Sequence, residues 1–184
     1  YYQNGQIDKA QDLYKQLLRR QSNIPYIHNN YYKLLVNTEQ YDEAEKYMKK
    51  VLTRYKGNNI YGIDLALLYQ QMGQQDRFQK QIDNMIKNVG NSPNRLVGLA
   101  QNLIRKGLAE QASKIFMKAR KELRDPYAYA IQMANIYRIT GNKSAMIEEY
   151  LNFAVQNPQR VSYVKNVLQT TLSEEEDFDD LEFK

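Results

Sequence analysis

One histidine, no cysteine and a few neighbouring carboxylates are the residues from which chemistry would have to be built in this chain. His28 has no serine or acid beside it in sequence, so no nucleophile, base and orienting acid assemble locally around it, and it reads as a structural residue. The pairs Glu148–Glu149 and Asp179–Asp180 are adjacent and diverge around a helix, which makes them poor acid/base or metal pairs. The stretch from Gly57 to Gly62 contains glycines but lacks the Lys-Ser/Thr that a phosphate loop needs, so it reads as a turn. Without cysteine there are no disulfides and no thiolate metal sites, and a single histidine excludes multi-histidine sites. The expectation is a chain that is not an enzyme, with no catalytic residue, cofactor or metal. What remains is hydrogen-bonding capacity. The chain holds 17 Asn and 18 Gln, whose amides donate to and accept from a peptide backbone at once, and arginines whose forks suit carboxylates.

The elements that must position these side chains follow from a period of 34 residues. Gly73, Gly107 and Gly141 are 34 apart, and Gly5 lies two such intervals before Gly73. Four residues before the glycine slot stand Tyr1, Tyr69, Leu103 and Tyr137, and five residues after it Ala10, Ala44, Phe78, Ala112 and Met146. Apolar residues recur at helical spacing: Tyr31, Leu65, Leu99, Met133 and Val167 share one slot, and Tyr32, Ala66, Ala100, Ala134 and Leu168 the next. A period of this length is the mark of a helical repeat array. The spacing predicts helices at 7–20, 25–38, 41–55, 59–72, 75–88, 93–106, 109–122, 127–140, 143–156 and 160–171, with no strand. Ser92-Pro93, Asp125-Pro126 and Asn157-Pro158 each pair a capping residue with proline at a first helical position. Glu39 occupies the glycine slot of its repeat, so that turn should cost more or take another conformation. Ser173-x-x-Glu176 reads as a capping box opening a further helix, with Phe178 and Leu181 on one side.

Charge is unevenly distributed. Residues 173–184 hold seven acidic side chains against Lys184, which leaves 25 basic and 14 acidic side chains in residues 1–172, a net of +11. A basic body admits anionic partners, although the basic residues are spread along the chain rather than gathered in one stretch. No apolar run reaches the roughly 18–20 residues that span a bilayer. Residue 1 is Tyr and falls in register near the end of a first helix, so the chain is expected to be a segment of a longer protein, its compartment unread.

The pattern Tyr-x3-Gly-x4-Ala-x3-aromatic-x2-small, clearest as Leu103, Gly107, Ala112, Phe116 and Ala119, resembles the tetratricopeptide repeat. The resemblance covers residues 1–172: a half repeat at 1–24, full repeats at 25–58, 59–92, 93–126 and 127–160, and a lone helix at 161–172, with 173–184 the acidic start of another. It departs from the family at Phe78 and Met146, where a small residue is usual, which should widen the packing locally. The resemblance implies an all-α, right-handed α-α superhelix, a solenoid of helix-turn-helix repeats acting as a protein-protein interaction scaffold. In such arrays the first helices line a concave channel, and register carries the lining positions onto Asn30, Lys33, Asn37, Gln71, Gln101, Arg105, Gln132, Asn135 and Arg138, with Asp64 at another such slot. The clamp for chaperone tails does not carry over, because Ile60, Ile63 and Asp64 stand at its slots. The Asn-, Gln- and Tyr-rich composition looks like tetratricopeptide proteins of AT-rich bacteria such as Bacteroidetes, whose relatives carry an export signal and work in the cell envelope. The implied partner is a protein or peptide. The alternatives are a nucleic-acid binder, which the repeat length and marker slots argue against, and a spacer or oligomerisation arm of an envelope assembly, self-associating through its C-terminal end.

Overall fold

Ten α-helices and no strand make up the described residues. The structure is a computed structural model, and it describes residues 6–172 of the chain. Two compact units, residues 1–85 and 86–184, divide within the fifth helix. The first unit holds α1 (Ile7–Leu17), α2 (Ile24–Asn37), α3 (Tyr41–Arg54), α4 (Asn59–Gln71) and the start of α5 (Gln75–Val89). The second holds the end of α5, then α6 (Pro93–Arg105), α7 (Ala109–Leu123), α8 (Ala130–Ile139), α9 (Lys143–Gln156) and α10 (Val161–Thr171). Within the first unit α1 packs on α2, α2 on α3 and α3 on α4, and within the second α6 packs on α7, α7 on α8, α8 on α9 and α9 on α10. This is a helical repeat array of sequentially packed pairs.

The 34-residue slots become the core. Tyr31, Leu65, Leu99 and Met133 are buried, as are Ala66, Ala100, Ala134 and Leu168 one residue along. Phe78 and Met146, the bulky residues at a small-residue slot, are buried too. Each large apolar side chain taken from water contributes about 1.5–3 kcal/mol, against an ordering cost of similar size.

The turns after α2, α4, α6 and α8 are closed by one repeated hydrogen bond. The amides of Gln40, Gln74, Leu108 and Asn142 donate to the carbonyls of Leu35, Tyr69, Leu103 and Tyr137 at 2.8, 2.8, 2.9 and 2.8 Å. This is the bond of a Schellman motif, which requires a left-handed residue just before the donor. Gly73, Gly107 and Gly141 supply it with φ of 69°, 79° and 76°. Glu39 adopts the same conformation at φ 57° instead of a different turn, at a cost of about 1 kcal/mol relative to glycine.

Two expected helix starts are corrected. Asp125-Pro126 does not open a helix at 127: residues 126–129 form turns, Tyr129 is left-handed at φ 62°, and α8 begins at Ala130. Asp125 spends its side chain on the amide of Tyr127 at 2.9 Å, capping a local turn, and a buried arginine described below claims the carbonyl of Ala128. Asn157-Pro158 opens a single 3-10 turn (Pro158–Arg160), and α10 follows at Val161. The Asn157 side chain turns back to donate to the carbonyl of Phe153 at 2.9 Å, so it does not cap forward. The first helix is shorter than expected, ending at Leu17 before a 3-10 turn at Gln21–Asn23. Tyr1, Gly5, the capping box at Ser173 and Glu176, and the apolar pair Phe178 and Leu181 lie outside the described residues.

Candidate functional site

The amphipathic first helices place most of the expected binding residues outward. On α2 the apolar stripe Tyr31, Leu34 and Leu35 turns inward, which leaves Asn30, Lys33 and Asn37 exposed on the opposite face. On α6, Gln101 and Arg105 are exposed one helical turn apart, and the Arg105 guanidinium donates to the side-chain oxygen of Asn102. On α8, Gln132 and Arg138 are exposed, whereas Asn135 is half-buried and accepts from the Tyr150 hydroxyl at 3.4 Å. The outlier is α4. Its residues 61–66 are all buried, so apart from Ile60 in the first turn only its C-terminal end, with Gln71, is exposed.

Burial of α4 overturns one reading. Asp64 occupies a slot held by Asn30 one repeat earlier and by Gln132 two repeats later, yet it is 2% exposed and faces His28, itself 2% exposed, rather than an open channel. His28 Nε2 lies 3.0 Å from Asp64 Oδ2, and Nδ1 lies 3.2 Å from the Tyr47 hydroxyl. A carboxylate only accepts, so Nε2 carries hydrogen, and in the neutral ring Nδ1 accepts from Tyr47. Tyr32 donates to the Asp64 backbone carbonyl at 2.9 Å, and the rings of Tyr32, Tyr47 and Tyr61 stand 5.8, 5.7 and 4.5 Å from the imidazole. His28 therefore does have an acid partner, brought from 36 residues away.

The order Tyr47, His28, Asp64 is that of nucleophile, base and orienting acid, but its electrostatics run the wrong way. Burial, then the neighbouring Tyr61, Tyr31 and Asp64, push the Tyr47 hydroxyl well above its ordinary value, and burial and Asp64 do the same to Tyr32. A nucleophile needs a lowered pKa or a base with room for substrate. Here the proton is held more firmly and the hydroxyl is turned inward. This cluster joins α2, α3 and α4.

A second polar knot lies nearer the surface of the same unit. Glu45 on α3 accepts from both terminal nitrogens of Arg77 on α5, from the Tyr69 hydroxyl at 3.3 Å and from Lys49 at 2.7 Å, while Arg77 sits 4.0 Å over the Tyr69 ring. The Arg77 guanidinium foremost, with Lys49, holds the Glu45 carboxyl down to about 2.

The second unit buries an ion pair. Arg120 on α7 forks onto Glu149 on α9, with Nη1 and Nη2 at 2.8 and 2.6 Å from the two carboxylate oxygens, and Nε donates to the Ala128 carbonyl at 2.6 Å. Every nitrogen of the guanidinium thus has a partner, which is what makes a buried charge tolerable. The sequence carried a signal for this pair. Arg120 falls 34 residues after Ile86 and Glu149 34 after Ile115, so one repeat boundary gains opposite charges at two slots that are apolar one repeat earlier.

Residues 33–58 match the tetratricopeptide repeat family. No curated protein matches the chain. Among solved structures the chain is similar to PilW, described as a widely conserved type IV pilus biogenesis factor, with a TM-score of 0.43 and 20% identity over 91% of this chain and 78% of that one. The repeat match at residues 33–58 lies within an all-α helical array. Among the described residues no helix is long and apolar enough to cross a membrane.

Proposed function

We propose that this array is a non-enzymatic scaffold that holds a peptide segment of a partner protein against the exposed faces of its first helices. The observation that carries this reading is the outward set on α6 and α8: Gln101, Arg105, Gln132 and Arg138 are exposed while the opposite faces of both helices are buried. Amides at such positions can pair with the donors and acceptors of an extended backbone, and the guanidinium groups can take carboxylates. The helical pairs serve as the rigid support, and tetratricopeptide repeats suit protein partners. The inward-facing, proton-retaining Tyr47 supports a non-enzymatic role. The resemblance of its composition to tetratricopeptide proteins of AT-rich bacteria that work in the cell envelope supports a bacterial cell-envelope location.

A peptide selected from a random library on the intact chain supplies the probe. A charge-assisted bond is worth about 1.5–3 kcal/mol when partly desolvated, so Arg105→Ala and Arg138→Ala should each weaken that peptide about tenfold or more. Lys114→Ala on α7 should change its affinity by less than about twofold. Equal affinities across all three variants would place the binding surface elsewhere. Displacement of the peptide by RNA, with a steep salt dependence, would favour a nucleic-acid binder.

A further inference from the structure

A cavity of about 290 Å³ opens between α1 and α3 in the first unit, on second helices and away from the outward faces considered above. Lys15 and Arg19 line one side, Lys46 and Lys50 line the other, and Glu43 is the single acid among the lining residues. The lining therefore carries a net +3. None of the four cations has an ion-pair or side-chain hydrogen-bond partner among the described residues, whereas Lys49, on the same helix, is paired with Glu45, and Arg77 and Arg120 are likewise neutralised. Four unpaired cations around one small space repel one another, and a multiply charged anion relieves that repulsion.

The floor supplies an independent observation. Tyr31 is 1% exposed, packed against the rings of Tyr14 at 5.3 Å and Tyr47 at 4.9 Å, yet its hydroxyl has no hydrogen-bond partner among the described residues. No buried side-chain oxygen among the described residues lacks a partner, so this hydroxyl is not sealed in. Tyr31 is one of the residues lining the cavity, so we take its hydroxyl as the donor available to an acceptor oxygen there. Burial, then Glu43, push its pKa up to about 12, so it keeps its proton at neutral pH. The Tyr47 hydroxyl, by contrast, is committed to His28.

We propose that the cavity between α1 and α3 binds a small, multiply charged phosphate-type anion, either free pyrophosphate or the diphosphate group of a nucleotide. Its volume lies at the lower end of small-ligand sites, and its charge matches about three negative charges. Lys15, Arg19, Lys46 and Lys50 neutralise the phosphate oxygens and the Tyr31 hydroxyl donates to one of them.

Calorimetric titration of the intact chain at low salt tests this, with sodium pyrophosphate, ADP, orthophosphate and sulfate as separate probes. Saturable binding of pyrophosphate and ADP, tighter than orthophosphate or sulfate, is expected. ADP tighter than pyrophosphate would identify a nucleotide as the source, and equal affinities a free polyphosphate. The double variant Lys46→Glu, Lys50→Glu, confined to exposed positions, should weaken pyrophosphate more than about thirtyfold. Tyr31→Phe keeps the ring packing and should weaken it about tenfold. Lys114→Glu with Lys121→Glu, on α7, should change it by less than about threefold. Absence of saturable pyrophosphate binding, or indifference to the Lys46 and Lys50 reversal, would overturn the proposal. Indifference to Tyr31→Phe alone would also overturn it, reducing the cavity to diffuse surface charge. A synthetic peptide of residues 173–184 bound there and not displaced by pyrophosphate would overturn it in favour of docking by an acidic segment.

Discussion

Both units bury polar side chains in the core, and they satisfy them by different means. The first unit inserts an imidazole between a phenol and a carboxylate and wraps them in tyrosine rings. The second inserts a guanidinium and a carboxylate into a core of Ala, Ile, Leu and Met. The first solution leaves the helices where the period puts them: α2 and α4 begin and end within a residue of expectation. The second does not. A guanidinium fork saturates a carboxylate with two nitrogens and needs a further acceptor for the third, which it finds at the Ala128 carbonyl, and α8 starts three residues late. A guanidinium that needs a third acceptor reshapes the backbone around it, whereas an imidazole satisfied by two side chains fits the backbone already there.

The largest expected effect tests the second unit. Removing one partner from a buried pair strands the other, so Arg120→Ala should cost about 3–5 kcal/mol. Urea unfolding with hydrogen exchange on α7 and α9 measures this. The double replacement Arg120→Met with Glu149→Leu should recover most of that loss and free the Ala128 carbonyl, letting α8 extend toward Tyr127. A surface-like cost of under about 0.5 kcal/mol for Arg120→Ala would erase the contrast between the units.

A smaller effect belongs to the first unit. Asp64→Ala leaves the His28 Nε2 hydrogen without its acceptor in a buried site, a loss of about 1–3 kcal/mol. Exchange on α2 and α4 should report it, with no change in where either helix starts. A shifted α4 start would mean that this relay, too, holds the backbone in place.

The smallest effect is one of acidity. Glu45 is held down to about 2, below the 4.5 ordinary for its type, so its contribution is fully present above about 4.5. It is lost as pH falls from there through about 2, because the unfolded chain takes up the proton first. Glu45→Gln should lower stability at neutral pH and flatten the acid limb of the stability curve between those limits. A parallel acid limb in the variant would show that the Arg77 contact contributes nothing to folding.

Much of this architecture was legible in the sequence, for a specific reason. The Schellman bond recurs at Leu35, Tyr69, Leu103 and Tyr137, so slot and turn repeat together, and most helix ends follow from counting. Counting failed where a side chain overruled the local rule. Asp125-Pro126 has the chemistry of a helix start, but the arginine that diverts the next carbonyls comes from within the preceding helix. The candidate site divides in the same way. The outward positions of Asn30, Lys33, Gln101, Arg105, Gln132 and Arg138 follow from the apolar stripe on the other side of their helices. Asp64 did not, because register assigns a direction to a slot and cannot see that α4 is enclosed on both sides. Its partner was also invisible locally, since the pairing joins residues from two repeats.

Both buried polar pairs reach across a repeat boundary expected from the period, His28 to Asp64 across 58/59 and Arg120 to Glu149 across 126/127. Arrays of this kind grow by copying a segment, and each copy is ordinarily free to be deleted or moved. At these two joints it is not. A gene that lost or transplanted the segment beginning at residue 59 would carry a histidine without its acid, and one cut at 127 an arginine without its counterion. The repeats look interchangeable in their periodic slots but are numbered by their exceptions, and those exceptions fix the order in which the copies can be inherited.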